Sequence, residues 1–125
     1  MQRARPYIFT TAASPLLAAA LSVSLDLVER GEERRARLRR LIERLRSGLF
    51  GLPWRSPPSP TAIQPLLIGG NEDAVRLSER LFSQGLWVPA IRPPTVPAGT
   101  ARLRISLSAA HGDGQIDALI AALHA

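Results

Sequence analysis

Residues 101–108, ARLRISLS, alternate without a break: Leu103, Ile105 and Leu107 occupy every second position, and Arg102, Arg104 and Ser106 fill the gaps. A period of two puts the aliphatics on one face of a β-strand, whereas a helix would scatter them around its axis. The chain must therefore fold around a sheet with one dry face. The reverse face, carrying two arginines, meets solvent, a salt-bridge partner or a bound anion.

The strand needs neighbours, and the sequence offers three. TAIQPLLIG, residues 61–69, reads as a strand in which Pro65 suggests an edge position or a bulge. LWVPAIR, residues 86–92, reads as another, and PYIFTT, residues 6–11, as a short extended segment. Between them lie helical patterns. Ser14 is placed to cap a helix from Pro15 to about Glu29, with Pro15 where a missing N–H costs nothing. Its leucines and valines surround most of its circumference, so it requires cover on several sides, which hints at a further domain or subunit. A second helix is expected from about Glu32 to Ser47, with Gly48 as its stop; Leu38, Leu41, Ile42 and Leu45 form one stripe. Asn71 reads as the cap of a third, with Glu72 and Asp73 in the first turn and Gly85 at the end. Asp113 reads as the cap of a closing helix marked by Ile116, Leu119, Ile120 and Leu123. GLPWRSPPSP, residues 51–60, is a loop, and Trp54 and Trp87 read as packing groups. This order predicts one α+β domain over residues 1–125: a small, partly antiparallel sheet with helices packed on one face.

The charge is concentrated in the second helix. All 16 strongly basic residues are arginine, none is lysine, and the formal net charge is +6. Arg34, Arg35, Arg37, Arg39, Arg40, Arg44 and Arg46 read as a solvated face, with Glu33–Arg37 an i, i+4 pair and Glu43 near Arg39, Arg40 and Arg46. The competing reading, a nucleic-acid-binding helix, lacks interleaved aromatics on which bases could stack. Without lysine no side chain can form the usual Schiff base with a carbonyl cofactor. Without cysteine there is no disulfide and no thiolate nucleophile. The early arginines and apolar run imitate a secretory leader, but Pro6, Thr10, Thr11 and Pro15 interrupt the run, and no segment is expected to span a membrane.

Candidate binding residues cluster around IRPPTVPAGTARLR, residues 91–104. Pro93, Pro94 and Pro97 stiffen the loop, and Arg92 and Arg104 flank it. A hairpin-like return would bring both guanidiniums toward one mouth, with the Thr95 hydroxyl between them, an arrangement suited to a small carboxylate or phosphate. His111, in a Gly-rich turn, is read as making local hydrogen bonds. His124 reads as solvated, and Gly69–Gly70 as a turn before a cap.

RARPYIFTTAASP, TAIQPLLIG and QGLWVPAIRPPTVPAGTARLRISLSAAH resemble the C-terminal part of the α-oxoamine synthases, pyridoxal-phosphate (PLP) enzymes of fold type I. Within that family they are most similar to the 8-amino-7-oxononanoate synthases. Sister enzymes making aminolevulinate or 2-amino-3-oxobutyrate keep the VP…G…R.R skeleton but usually lack AIRPPTVP. The resemblance covers essentially the whole chain. It implies a cytoplasmic homodimer that condenses L-alanine with a pimeloyl thioester, on coenzyme A or a carrier protein, in biotin synthesis. A related synthase with another acyl donor is the alternative. By the same resemblance Arg104 holds the amino-acid carboxylate, Thr95 contacts substrate and Arg92 lies near the same mouth. Thr10 and Thr11 would reach the cofactor phosphate of the neighbouring subunit. The family's Schiff-base lysine, its ring-stacking histidine and its ring-nitrogen acid match nothing here and belong to a larger upstream domain. The resemblance thus implies no catalytic residue and no metal ligand in this chain, and no activity from it alone.

Titrated with DNA or RNA at moderate salt, the chain should bind weakly and without selectivity. Tight binding with a steep salt slope would instead assign the arginine helix to nucleic acid.

Overall fold

In the computed structural model, which describes Arg3 and residues 8–125, the elements follow in order. They are helices α1 (Pro15–Glu29) and α2 (Glu32–Gly48), strand β1 (Ile63–Gly69), helix α3 (Asn71–Ser83), strands β2 (Ala90–Ile91) and β3 (Ala101–Ser106), and helix α4 (Asp113–His124). The chain divides into two units, Met1–Glu33 and Arg34–Ala125.

In the second unit β3 is central, antiparallel to β1 on one side and to β2 on the other. Its alternation is realised as expected: Ala101, Leu103, Ile105 and then Leu107 are buried, and Arg104 and Ser106 are exposed. Leu41, Ile42 and Leu45 of α2, Leu77 and Leu81 of α3, and Ile116, Leu119 and Leu123 of α4 join them in one core. Burial of each such side chain contributes roughly 1.5–3 kcal/mol. Pro65 does sit in an edge strand, and the β1–β3 register shifts between Leu67 and Gly69. Gly69 takes φ +95° at that irregularity, a conformation that favours glycine. The expected fold, α+β with helices on one sheet face, is the one observed, its sheet wholly antiparallel.

Arginines of α2 bind it to the rest of this unit. Arg44 forms a two-pronged pair with Asp117 of α4, 2.7 Å at each contact. Arg46 donates to Pro57 O and to Gln64 Oε1, both at 3.1 Å. Gln64, fully buried, donates in turn to Ser59 O and Thr61 O, so the proline-rich loop is anchored to β1 and its amide is satisfied. The solvated-face reading of α2 is corrected for these residues, because the long stems carry the guanidiniums to carbonyls and carboxylates beyond the helix. Gly48 ends α2 where a Cβ would overlap the Ile120 side chain of α4. His124, expected in solvent, contacts Gly48 O through Nε2 at 2.8 Å.

Several local expectations shift. Gly70, not Asn71, is the N-cap of α3, and a Cβ there would overlap the Asp73 carboxylate. Gly112, not Asp113, caps α4. Ser14 precedes α1 as expected, but its side chain makes no capping bond. Of the proposed segment 6–11, Pro6 and Tyr7 lie outside the described residues, and Ile8–Thr11 do not form a strand. The strand expected over 86–92 is confined to Ala90 and Ile91, since Pro89 has no N–H to extend the ladder. Trp87 is 76% exposed, edge-on to Phe82, so its packing role is corrected, whereas Trp54 packs against the core. In the first unit no residue of α1 is buried, and Leu16 is 83% exposed. No helix among the described residues is long and apolar enough to cross a membrane.

The Arg44 guanidinium holds the Asp117 carboxyl below the ordinary carboxylate range, first through its hydrogen bonds and then through its charge. A lowered folded-state pKa adds stability that is complete above about pH 4 and drains away as pH falls through the lowered value. Asp117→Asn should therefore lower the urea midpoint at pH 7 by more than it does in acid, where the carboxyl is protonated in both states. An equal loss at both pH values would assign the effect to packing.

Candidate functional site

Arg104 stands on the open face of the sheet. Its register partner in β1 is Pro65, and its backbone N–H donates to Pro89 O at 3.0 Å. Prolines on both sides offer no countercharge. Among the described residues nothing pairs with the Arg104 guanidinium, which is exposed.

Because β2 is only two residues long, β3 has no ladder partner on that edge beyond the Arg104–Pro89 bond, and a cleft of about 380 Å³ opens between the segment 85–89, the end of β3 and the start of α4. Leu86, Val88, Leu107, Ile116 and Leu119 supply apolar wall. Arg104, Ser106, His111 and Gln115 line it as polar residues, and no acidic residue does.

The turn carrying His111 is held from several directions. Its ring Nδ1 accepts the Ser108 N–H at 3.1 Å, and its own N–H donates to Ser108 O at 3.0 Å. Arg37 of α2 donates from Nε to Ala109 O and from Nη2 to His111 O, each at 2.9 Å, with Asp113 3.8 Å away. The expected Glu33–Arg37 pairing gives way to this fork, which satisfies two turn carbonyls that a Glu33 contact would leave open. Gln115 accepts the Gly112 N–H at Oε1, 2.9 Å, fixing the first turn of α4. That bond was legible from Gln115 standing three residues after Gly112, a capping-box spacing. The Arg37 fork had no sequence signal, since its partners are 72 and 74 residues away.

The other expected site residues lie apart from this cleft or outside its unit. The loop turns through Thr95 N–H to Arg92 O, 3.1 Å, and includes a cis Pro93–Pro94 peptide; Thr95 is exposed. Arg92 lines a different cleft, with Asn71, Glu72, Val75 and Arg76. The expectation that Arg92 and Arg104 share a mouth is thus corrected. The register sets Ile91 opposite Arg102 on the open face, so the next residue turns toward the helix-covered side, while Arg104 stays with Arg102. Thr10 and Thr11 are exposed residues of the first unit, ahead of α1.

The sequence model of the aminotransferase class I and II family matches residues 1–123. The chain belongs to that family. Among curated members, the 8-amino-7-oxononanoate synthase of Herminiimonas arsenicoxydans is 61% identical over all of this chain and 33% of its own length. The resemblance read from the sequence is thereby borne out, and the chain spans about a third of the relatives it matches. Two serine palmitoyltransferase structures, one from Sphingomonas wittichii and one holding PLP as an internal aldimine, are 31% and 32% identical, each with TM-score 0.83. Each match covers 95% of this chain and 30% of theirs. An 8-amino-7-oxononanoate synthase from Francisella tularensis gives 28% identity and TM-score 0.81 over 98% of this chain and 36% of its own. The residues of this aminotransferase-family chain do not by themselves fit a covalent PLP site, since the sequence contains no ε-amine to receive the aldehyde.

Arg37→Met should speed amide exchange at His111 and cost about 0.5–1.5 kcal/mol of stability, because two part-buried carbonyls lose a charged donor. Unchanged exchange in the 108–112 turn would show that the fork does not hold it.

Proposed function

We propose that the chain is the C-terminal, substrate-clamping domain of an 8-amino-7-oxononanoate synthase that works in the cytoplasm as a homodimer. The reaction joins L-alanine to a pimeloyl thioester, on coenzyme A or a carrier protein, releasing carbon dioxide and the thiol. The observation that carries the reading is the Arg104 guanidinium on the open sheet face, without a partner among the described residues, in a chain 61% identical to such a synthase. A guanidinium keeps its charge at any working pH and grips a carboxylate through two parallel N–H bonds.

In this reading Arg104 orients alanine through its carboxylate, which fixes the direction of the α-carbon. Thr95 offers its hydroxyl from the exposed loop, and Arg92 provides a second cation beside α3. Thr10 and Thr11 supply hydroxyls to the cofactor phosphate of the neighbouring subunit. PLP, when bound in the complete enzyme, supplies the electron sink for the carbanion at alanine. Its lysine anchor lies outside these 125 residues, and the exposed apolar surface of α1 fits a helix that needs cover from elsewhere in the parent. The serine palmitoyltransferase likeness supports a second reading, a sister synthase with another acyl donor.

In the complete enzyme, Arg104→Ala should raise the KM for alanine by about ten- to a hundredfold, as expected for a lost charge-assisted pair. An unchanged KM would remove Arg104 from this role. Preference for a palmitoyl over a pimeloyl thioester would favour the sister synthase. The 125-residue chain supplied with PLP, alanine and the thioester should not turn over; turnover would overturn the reading of this chain as a clamping domain alone.

A further inference from the structure

We propose that the turn joining β3 to α4 is a pH-sensitive latch, held shut by the neutral His111 ring and released when that ring takes up a proton. Nothing in the latch depends on the reaction assigned to the parent.

Two clasps of different chemistry close the turn. In the first, His111 Nδ1 accepts the Ser108 N–H at 3.1 Å, while the His111 N–H donates back to Ser108 O at 3.0 Å. A ring nitrogen accepts only through its lone pair, so this clasp requires a bare Nδ1 and a proton on Nε2. The protonated ring carries an N–H on both nitrogens. Its Nδ1–H would meet the Ser108 N–H donor against donor, and the ring must swing away. The second clasp does not titrate. Arg37 Nε and Nη2 donate to Ala109 O and His111 O, each at 2.9 Å, and a guanidinium stays charged at any working pH. The Ala110 N–H is likewise fixed, on the Ser108 hydroxyl at 3.2 Å. Acid therefore frees the ring and the Ser108 amide and leaves the carbonyl side of the turn in place.

Charges around the ring offer the imidazolium no replacement for the lost bond. From α2, the Arg37 guanidinium is bonded to the His111 carbonyl, and from β3, Arg104 lines the cleft that His111 also lines. From α4, Asp113 stands 3.8 Å from Arg37 Nη2. The segment 85–89 contains no charged residue, and no acidic residue lines the cleft. At neutral pH the cleft edge thus carries a fixed, uncharged ring, and in acid a cationic ring that has left the turn.

The full 125-residue chain is followed by NMR from about pH 7.5 to about pH 5, across the ordinary imidazole range. The ring nitrogen shifts should show the Nε2–H tautomer of His111 at the upper end. Protection of the Ser108 amide, corrected for the intrinsic pH dependence of exchange, should fall roughly fivefold or more on acidification, the size of one ordinary hydrogen bond. Core amides of β3 should keep theirs. His111→Asn retains an acceptor near Nδ1 that does not titrate, so its Ser108 protection should be independent of pH. A proton on Nδ1 at the upper pH overturns the latch. So does Ser108 protection that is unchanged by acid in the parent sequence, and so does an equal fall in His111→Asn, which would assign the loss to general loosening of the fold.

Discussion

The two-sided demand on β3 organises the second unit. As the central strand it pairs on both edges, and its alternation requires one face to be covered by α2, α3 and α4 while the other remains open. A slip of one residue would turn Arg102 and Arg104 into the aliphatic core and expose Leu103 and Ile105, which burial energies forbid. The same register that protects the core thus sets Arg104 on the open face between two prolines, where nothing among the described residues neutralises it.

The arginines of α2 divide their work between solvent and structure. Arg37, Arg44 and Arg46 each span from one helix to a different target: a turn, a neighbouring helix and a proline-rich loop. Arginine suits this better than lysine because its planar fork can satisfy two acceptors at fixed spacing. One consequence reaches the cleft. By binding the carbonyls of Ala109 and His111, Arg37 holds the turn whose histidine lines the same cleft as Arg104.

Much of the architecture was readable in one dimension. The alternation of β3, the leucine stripe of α2 and the proline in β1 each carry a local periodicity or a missing donor that permits few outcomes. Boundaries slipped by one residue at Asn71 and Asp113, where Gly70 and Gly112 take the cap positions. The strand 86–92 shortened because Pro89 withholds a donor, a fact visible in the sequence whose extent only the pairing could measure. The convergence of Arg92 and Arg104 was misread because flanking a loop does not say which face each residue occupies.

The sequence by itself determined the fold class, the dry face of the sheet, the family resemblance and the absence of a Schiff-base lysine. These follow from residue type, period and motif, which are properties of neighbours along the chain. Only the tertiary structure decided that Arg104 has no partner among the described residues and that Arg92 lines another cleft. The reason is physical: hydrogen-bond satisfaction is settled between groups that are distant in sequence, as the Arg37 fork to the 109–111 turn demonstrates.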